Sequence, residues 1–302
     1  MDFDLDDHQT TRLAEAAALV GDVPAAYPTT AVDRDAYARL ADAGFVGRPL
    51  LGRGDHLMAA LVVEELSHLA VVLPVAAGAL VAPGLGIPGR SLFAVADAGA
   101  LGLVRYAGQA DAAIVIGTDG VDVAQLGPET TTDAETAYVY PIGAIEPDVH
   151  ERVADADPCT ARRLWRLGLA AELAGALGGA VEQVAAYLNE REQFGKPLGS
   201  LQALQHRVAE AFAAAEAARW FVRYAAWHHD DEEAVAAAAL TASDRAHELC
   251  MDLHQLCGAR GFTLDFGLYR WTLRLEALRQ ELGGPDAHAR LVTAARWRGA
   301  AG

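Results

Sequence analysis

The chain has 302 residues, 52% of them apolar, and its 41 acidic residues outweigh 24 basic ones for a formal net charge of −17. The apolar share is enough for one large core or two modest ones, while the charge argues against nucleic acid, because phosphates repel a polyanion. Three cysteines cannot form a disulfide framework, and the acidic start MDFDLDDH has neither a basic nor an apolar leader region, so a soluble cytoplasmic protein is expected.

The first 70 positions read as helices. Leu13, Ala16, Ala17 and Val20 share one face, and Tyr37, Leu40 and Ala41 share another after the cap residue Asp33. Met58, Val62, Leu66 and Leu69 mark a third helix, with Asp55 placed to cap it; Pro28 and the glycines of 47–54 break the connections. Residues 69–89 then run 21 positions without a charge, the length of a membrane span. Pro74, Pro83 and Pro88 each remove a backbone donor there, so a buried helix followed by an irregular crossing is expected instead of insertion.

From 91 to 144 the texture turns to β structure. Residues 92–95 form a short apolar run, and the pair 114–116 and 121–123 flanks Gly117-Thr118-Asp119-Gly120, a hairpin signal resting on the positive φ that Asp-Gly supplies. Tyr138-Val139-Tyr140 reads as a further strand ended by Pro141. This module is too small to stand alone and must lean on helices. After Pro147 and Pro158 the chain is helical: one helix over 161–192 with Gly168, Gly175, Gly178 and Gly179 inside it, others marked by Leu201–Ala215 and Ala246–Cys257 spacings, a fourth over 268–282, and a fifth closing the chain. Glycine weakens a helix by about 1 kcal/mol each, so four of them imply close contact with a neighbouring helix. Long helices with short joints make a bundle.

Three strings look functional without being so. Gly84-x-Gly86-x-x-Gly89 matches a dinucleotide fingerprint, but no strand precedes it and Pro88 removes a cradling amide. His228-His229-Asp230-Asp231-Glu232-Glu233 reads as a solvated loop, since adjacent side chains seldom converge on one metal ion. His247 and His254 stand two turns apart without a third ligand, and Cys250 and Cys257 repeat on an apolar face as core residues do.

The segment Arg191-Glu192-Gln193-Phe194-Gly195-Lys196-Pro197, continuing through Gln202 to His206, is different in kind. It sets a cation and an amide beside a flat aromatic ring where one helix stops and another starts, a donor set suited to a bidentate anion. As a block it resembles the signature RxQFGxPxxxxQxxxH of the acyl-CoA dehydrogenase family. Tyr37 to Phe45 is similar to that family's N-terminal helix and glycine turn, Val63-Glu64-Glu65-Leu66 to its xEEL helix, and Gln255-Leu256-Cys257-Gly258-Ala259-Arg260-Gly261-Phe262-Thr263 to its QxxGGxGxT signature. The resemblance implies a mostly α fold: an N-terminal helical domain over 1–88, a reduced β domain over 89–150 and a C-terminal four-helix bundle over 151–302. It also implies FAD, with Arg191 and Gln193 at the pyrophosphate, Phe194 at the adenine end, and Gln202, Gln255 and Gly258 along the same nucleotide of a neighbouring subunit. The implied reaction is α,β-dehydrogenation of an acyl-CoA, with electrons leaving to an electron-transfer flavoprotein.

The chain departs from the pattern in four places. It is short, and no TEPxxGSD-like segment is found. Ala259 stands where a second glycine is expected. The usual base position falls on Leu282, with Glu281 one residue earlier and turned by about 100° on a helix. The alternative base position, counted back from Arg191, falls on Trp165, and Asp265 is a weaker candidate. These departures imply the short subunit of a heteromer whose longer partner supplies the base. Two alternatives remain: a self-sufficient homomer, dimer or tetramer, using Glu281, and a flavin-free scaffold.

Overall fold

The structure is a computed structural model that describes residues 5–21, 31–134, 139–146 and 150–298. Helix α1 (Asp7–Val20) starts at Asp6, which accepts the Gln9 amide hydrogen while Gln9 reaches back to the Asp6 backbone. Helix α2 (Arg34–Asp42) is capped by Asp33 as expected, at 2.8 Å from the Ala36 nitrogen. Helix α3 (Arg53–His68) begins at Gly52, earlier than its spacing suggests; Asp55 lies inside the first turn and accepts the Leu51 N–H. A π-helical turn over Ala77–Val81 and the short α4 (Ala82–Gly84) follow, all buried up to Pro83, where 69–89 was expected to cross.

The β module is two small sheets. Strands β1 (Phe93–Asp97), β3 (Ala112–Ile116), β4 (Val121–Gln125) and β7 (His150–Arg152) form the first, with β1 parallel to β3 and the other pairs antiparallel. Strands β2 (Val104–Arg105), β6 (Ile142–Ile145) and β5 (Thr131–Asp133) form the second. All five β3 residues are buried because its two faces serve different cores. Ala113 and Val115 join the main core, while Ala112, Ile114 and Ile116 meet Val81, Ile87 and Leu164. The β3–β4 hairpin forms as expected, yet no residue of its 117–120 turn has positive φ; the turn closes on a 2.9 Å bond from the Gly117 N–H to the Gly120 carbonyl. The strand expected at 138–140 lies further on: Tyr138 is outside the described residues, Val139 and Tyr140 form a bend, and β6 starts after Pro141.

Helix α5 (Pro158–Glu190), 33 residues and about 50 Å long, is the shared axis of the molecule. It alone among the described helices is long and apolar enough to cross a membrane, and 89% of its most apolar window is buried in the protein. Its glycines mark the helix contact that they imply. A Cβ on Gly175 would lie 2.0 Å from the Glu64 carbonyl of α3, so only a bare Cα lets the two backbones approach. The bundle continues with α6 (Gln202–Trp227), reached through the strand pair β8 (Glu192–Gln193) and β9 (Lys196–Pro197), then α7 (Glu232–Asp244), α8 (Ala246–Cys257), α9 (Tyr269–Leu278) and α10 (Gly284–Arg298). The fourth bundle helix expected to reach 282 stops at Leu278: Leu282, Gly283 and Gly284 all have positive φ, which ends helical propagation. Cys250 and Cys257 are buried core residues, and Cys159 is exposed.

One buried group works against stability. His288 of α10 is fully buried, neither ring nitrogen meets a partner among the described residues, and burial with nearby Arg166 pushes its pKa down to about 4. The unfolded chain takes up that proton near pH 6.5 and the folded chain only near pH 4, so stability is full above pH 6.5 and drains as pH falls between the two. His288→Leu is expected to raise stability by about 1–3 kcal/mol and to flatten that acid limb, which urea titrations at pH 7 and pH 5 would read.

Candidate functional site

Two places carry the residues singled out by sequence, and they are separate. The first is the joint between α5 and α6. Phe194 and Gly195 occupy its two-residue turn with φ of 54° and 75°. Positive φ at both central residues is the I′ geometry that suits a tight hairpin. Glycine adopts it freely, but a phenylalanine pays about 1–2 kcal/mol for it. That strained ring is also 88% exposed, so no packing in this chain explains it. Arg191 and Gln193 are exposed beside it, and their side chains bond no described residue. Gln202 is exposed in the first turn of α6.

The second signature comes to the same end of the bundle. Arg207 of α6 pairs with Asp252 of α8 at 2.6 Å, and Tyr187 of α5 packs edge-on to Phe266 with ring centroids 5.0 Å apart. Gln255 is therefore exposed close to the start of α6. Gly258 follows with φ of 57°, and a Cβ built on it would touch nothing within 4 Å. Phe262 is 72% exposed and stacks on His254 at 4.7 Å. Both segments thus lie toward the end of the bundle where α5 passes to α6, and between them they carry a guanidinium, amides, two exposed flat rings and open glycine backbone. Such a set of groups has the donors for a diphosphate and the faces for an aromatic base.

Glu281 lies elsewhere, in a 3-10 turn after α9, so its direction does not follow from counting along a helix. It points into the interior, where Arg105 of β2 holds it and Glu172 of α5 together. The Arg105 Nη1 and Nη2 donate to Glu172 at 3.2 and 2.7 Å, and Nε and Nη2 both donate to Glu281, the latter at 3.2 Å. Trp165 also donates to Glu281. The Tyr140 ring lies 4.9 Å below the guanidinium. Burial opposes the Arg105 charge, but Glu172 and Glu281 outweigh it and keep the guanidinium charged. One cation cannot satisfy two carboxylates equally, and burial pushes the Glu281 carboxyl above its ordinary range despite Arg105. The space left among Pro74, Phe93, Tyr106, Trp165 and this cluster is about 20 Å³, room for one water.

Arg105 and Glu172 are absent from any sequence motif. A weak signal exists for Glu172: it is the single charged residue between Arg166 and Glu182 in an otherwise apolar run. Arg105, 67 positions away, gives no sign. The His228–Glu233 run has separate duties: His229 stacks on His56 at 3.5 Å and Asp231 caps α7. Among the described residues no group of three His, Cys, Asp or Glu side chains converges to hold a metal ion.

Comparison with known proteins bears on both places. Residues 163–297 match the family described as "Acyl-CoA dehydrogenase, C-terminal domain". The chain is 29% identical over 265 residues to the acyl-CoA dehydrogenase IpdE2 of Mycobacterium tuberculosis, covering 82% of this chain and 80% of that one. Other relatives, at 34% and 30% identity, match over stretches that span only about a third of their own length, 35% and 33%. In three dimensions the chain superposes on butyryl-CoA dehydrogenase from Megasphaera elsdenii with a TM-score of 0.82 at 20% identity, covering 99% of this chain and 100% of that one. It also superposes on a chain of the ChsE4-ChsE5 complex from Mycobacterium tuberculosis with a TM-score of 0.76 at 19% identity, covering 99% of each.

Proposed function

We propose that this chain, whose fold is that of the acyl-CoA dehydrogenases and whose residues 163–297 match their C-terminal domain, is the short subunit of a heteromeric FAD-linked dehydrogenase. The complex would form the α,β double bond of an acyl-CoA, in cytoplasmic lipid or steroid metabolism, and pass electrons to an electron-transfer flavoprotein. The observation carrying this reading is the contrast between the two places. The surface suited to a nucleotide is open, while Glu281, the carboxyl beside the family's base position in the sequence, is clamped by Arg105 in a cavity of about 20 Å³. An acyl thioester has no room there, so the longer subunit supplies the base.

The residues of this chain have binding duties in that scheme. Arg191 and Gln193 hold the diphosphate, Phe194 covers the adenine end, and Gln202, Gln255 and Gly258 line the nucleotide across the subunit boundary. FAD, when bound, supplies the hydride acceptor. Arg191 contributes a planar guanidinium fork that can hold two phosphate oxygens at once.

The test is purification of this chain alone and with a longer acyl-CoA dehydrogenase subunit, followed by visible spectra and acyl-CoA oxidation. Flavin absorbance and activity are expected only in the complex, and Arg191→Ala should weaken FAD retention by roughly tenfold or more. A colourless complex would instead favour the scaffold reading. The self-sufficient reading is supported by the raised pKa of Glu281, which suits a general base. It predicts that the chain alone oxidises an acyl-CoA and that Glu281→Gln abolishes the activity.

A further inference from the structure

The inner face of α10 is not built like those of the other bundle helices. Leu291, Val292 and Ala295 are only half-buried, and no α10 side chain is among the buried residues of either apolar core. Apart from Gly284, the one buried residue described in this helix is His288, at 0% exposure and with both ring nitrogens unpartnered among the described residues. Burying a polar group without a hydrogen bond costs free energy, so this contact works against the seating of the helix. Helix α10 lies along α7 and on the turn that leads into it, and that turn carries three successive left-handed residues, Leu282, Gly283 and Gly284. Glu281, just before them, is anchored by Arg105, so the pivot is fixed while the helix beyond it is held by little apolar surface.

We propose that α10 is a detachable strap, released from α7 about residues 282–284 when His288 takes up a proton, while the rest of the bundle stays closed. The charges around the ring leave the protonated form nothing to pair with. On α5 the neighbour is Arg166, a cation itself buried with its Nε unpartnered and its Nη1 given to Glu232 at 2.8 Å. On α7, Glu232 is thus taken, Glu233 is taken by Arg296, and Asp244 is exposed at the C-terminal end. On the turn Glu281 is held by Arg105, and on α10 itself Asp286 and Arg290 are exposed. A buried imidazolium beside Arg166 is uncompensated, whereas swinging α10 outward hydrates it at the loss of a half-buried apolar face.

Burial, with Arg166 beside it, pushes His288 down to about 4 from an ordinary 6.5. The docked helix therefore binds the proton less readily than the released one, so docking is complete above pH 6.5 and weakens as pH falls toward 4. Between pH 7 and pH 5 the docking equilibrium should weaken by about 20-fold. The Arg296–Glu233 pair opposes release only weakly, because the arginine side chain is 58% exposed.

Hydrogen exchange of the full chain, followed by mass spectrometry at pH 7 and pH 5 and expressed as protection factors, separates release of the strap from opening of the whole fold. Amides of residues 288–297 are expected to lose about 20-fold in protection, while those in the middle of α5 stay far better protected at both pH values. His288→Leu should hold α10 within about twofold across the same interval, and the equally untitratable His288→Gln serves if the leucine variant does not fold. Loss of protection in α10 and α5 to a common value at pH 5 would show that acid opens the whole fold, and would overturn the proposal. So would an α10 whose protection does not fall with pH, or falls as far in the variant as in the wild type.

Discussion

Replacing Arg105 by leucine is expected to destabilise the protein by about 3–5 kcal/mol, the usual consequence of leaving a buried charge without its partner. Two carboxylates lose their counter-ion at once: the Glu172 and Glu281 side chains are only 5% and 18% exposed. The loss should depend on pH in a defined direction. Without the guanidinium the Glu281 carboxyl, already raised by burial, binds its proton more readily folded than unfolded, so the variant's stability falls as pH rises above the ordinary carboxyl range near 4.5. Its gap from wild type should therefore be smallest near pH 4–5 and widest near neutrality. Urea denaturation at both ends measures it. The companion variant Arg105→Leu/Glu172→Leu/Glu281→Leu should recover most of the loss, because a well-packed apolar replacement of a buried ion cluster is often neutral or better. A triple variant as unstable as the single one would show that the cluster contributes something other than compensated charge.

Gly175→Ala should be the most damaging single-methyl addition in the bundle. The new Cβ would sit 2.0 Å from the Glu64 carbonyl oxygen and 2.9 Å from the Ser67 Cβ. The first of these is helical backbone and cannot swing aside, so α3 and α5 must separate along their contact. Overpacking of this kind costs about 1–3 kcal/mol and sometimes more, against a gain of only about 1 kcal/mol from exchanging glycine for alanine in a helix. The net effect is a loss. Gly178→Ala is the control three residues on. Its Cβ would meet only the His68 imidazole at 3.1 Å, a side chain that can move, so the helical gain should leave it near neutral. Denaturation midpoints of the two variants should therefore move apart.

Local patterns made much of this fold legible beforehand. Glycines at 168, 175, 178 and 179 implied close contact with a neighbouring helix because a helix that tolerates them needs a compensating contact, and Cβ atoms at 168, 175 and 179 would collide with α3 or residues packed beside it. Ile116 and Val121 pair across the hairpin as their spacing implies. What stayed hidden was non-local or without periodicity. The parallel pairing of β1 with β3 joins strands that no short turn connects. Helix α7 is an alanine stretch whose apolar residues show no single face in the sequence, because nearly every side of it is covered. In the site, the RxQFG block was readable as a string, but the left-handed Phe194 was not, since β-turn geometry favours glycine or asparagine there. The clamp on Glu281 depends on a residue 176 positions away, beyond the reach of any motif.

The central position of α5 has a consequence for how the chain reaches this state during synthesis. Helix α3, the π-helical turn and β3 all pack on residues that follow position 157, so the preceding segment emerges from the ribosome with its apolar faces uncovered. It must wait for α5 before it can settle, and α5 in turn waits for α6 and α7 to cover its other sides. Cutting the chain between sheets and bundle should therefore yield two aggregating fragments, and not two domains.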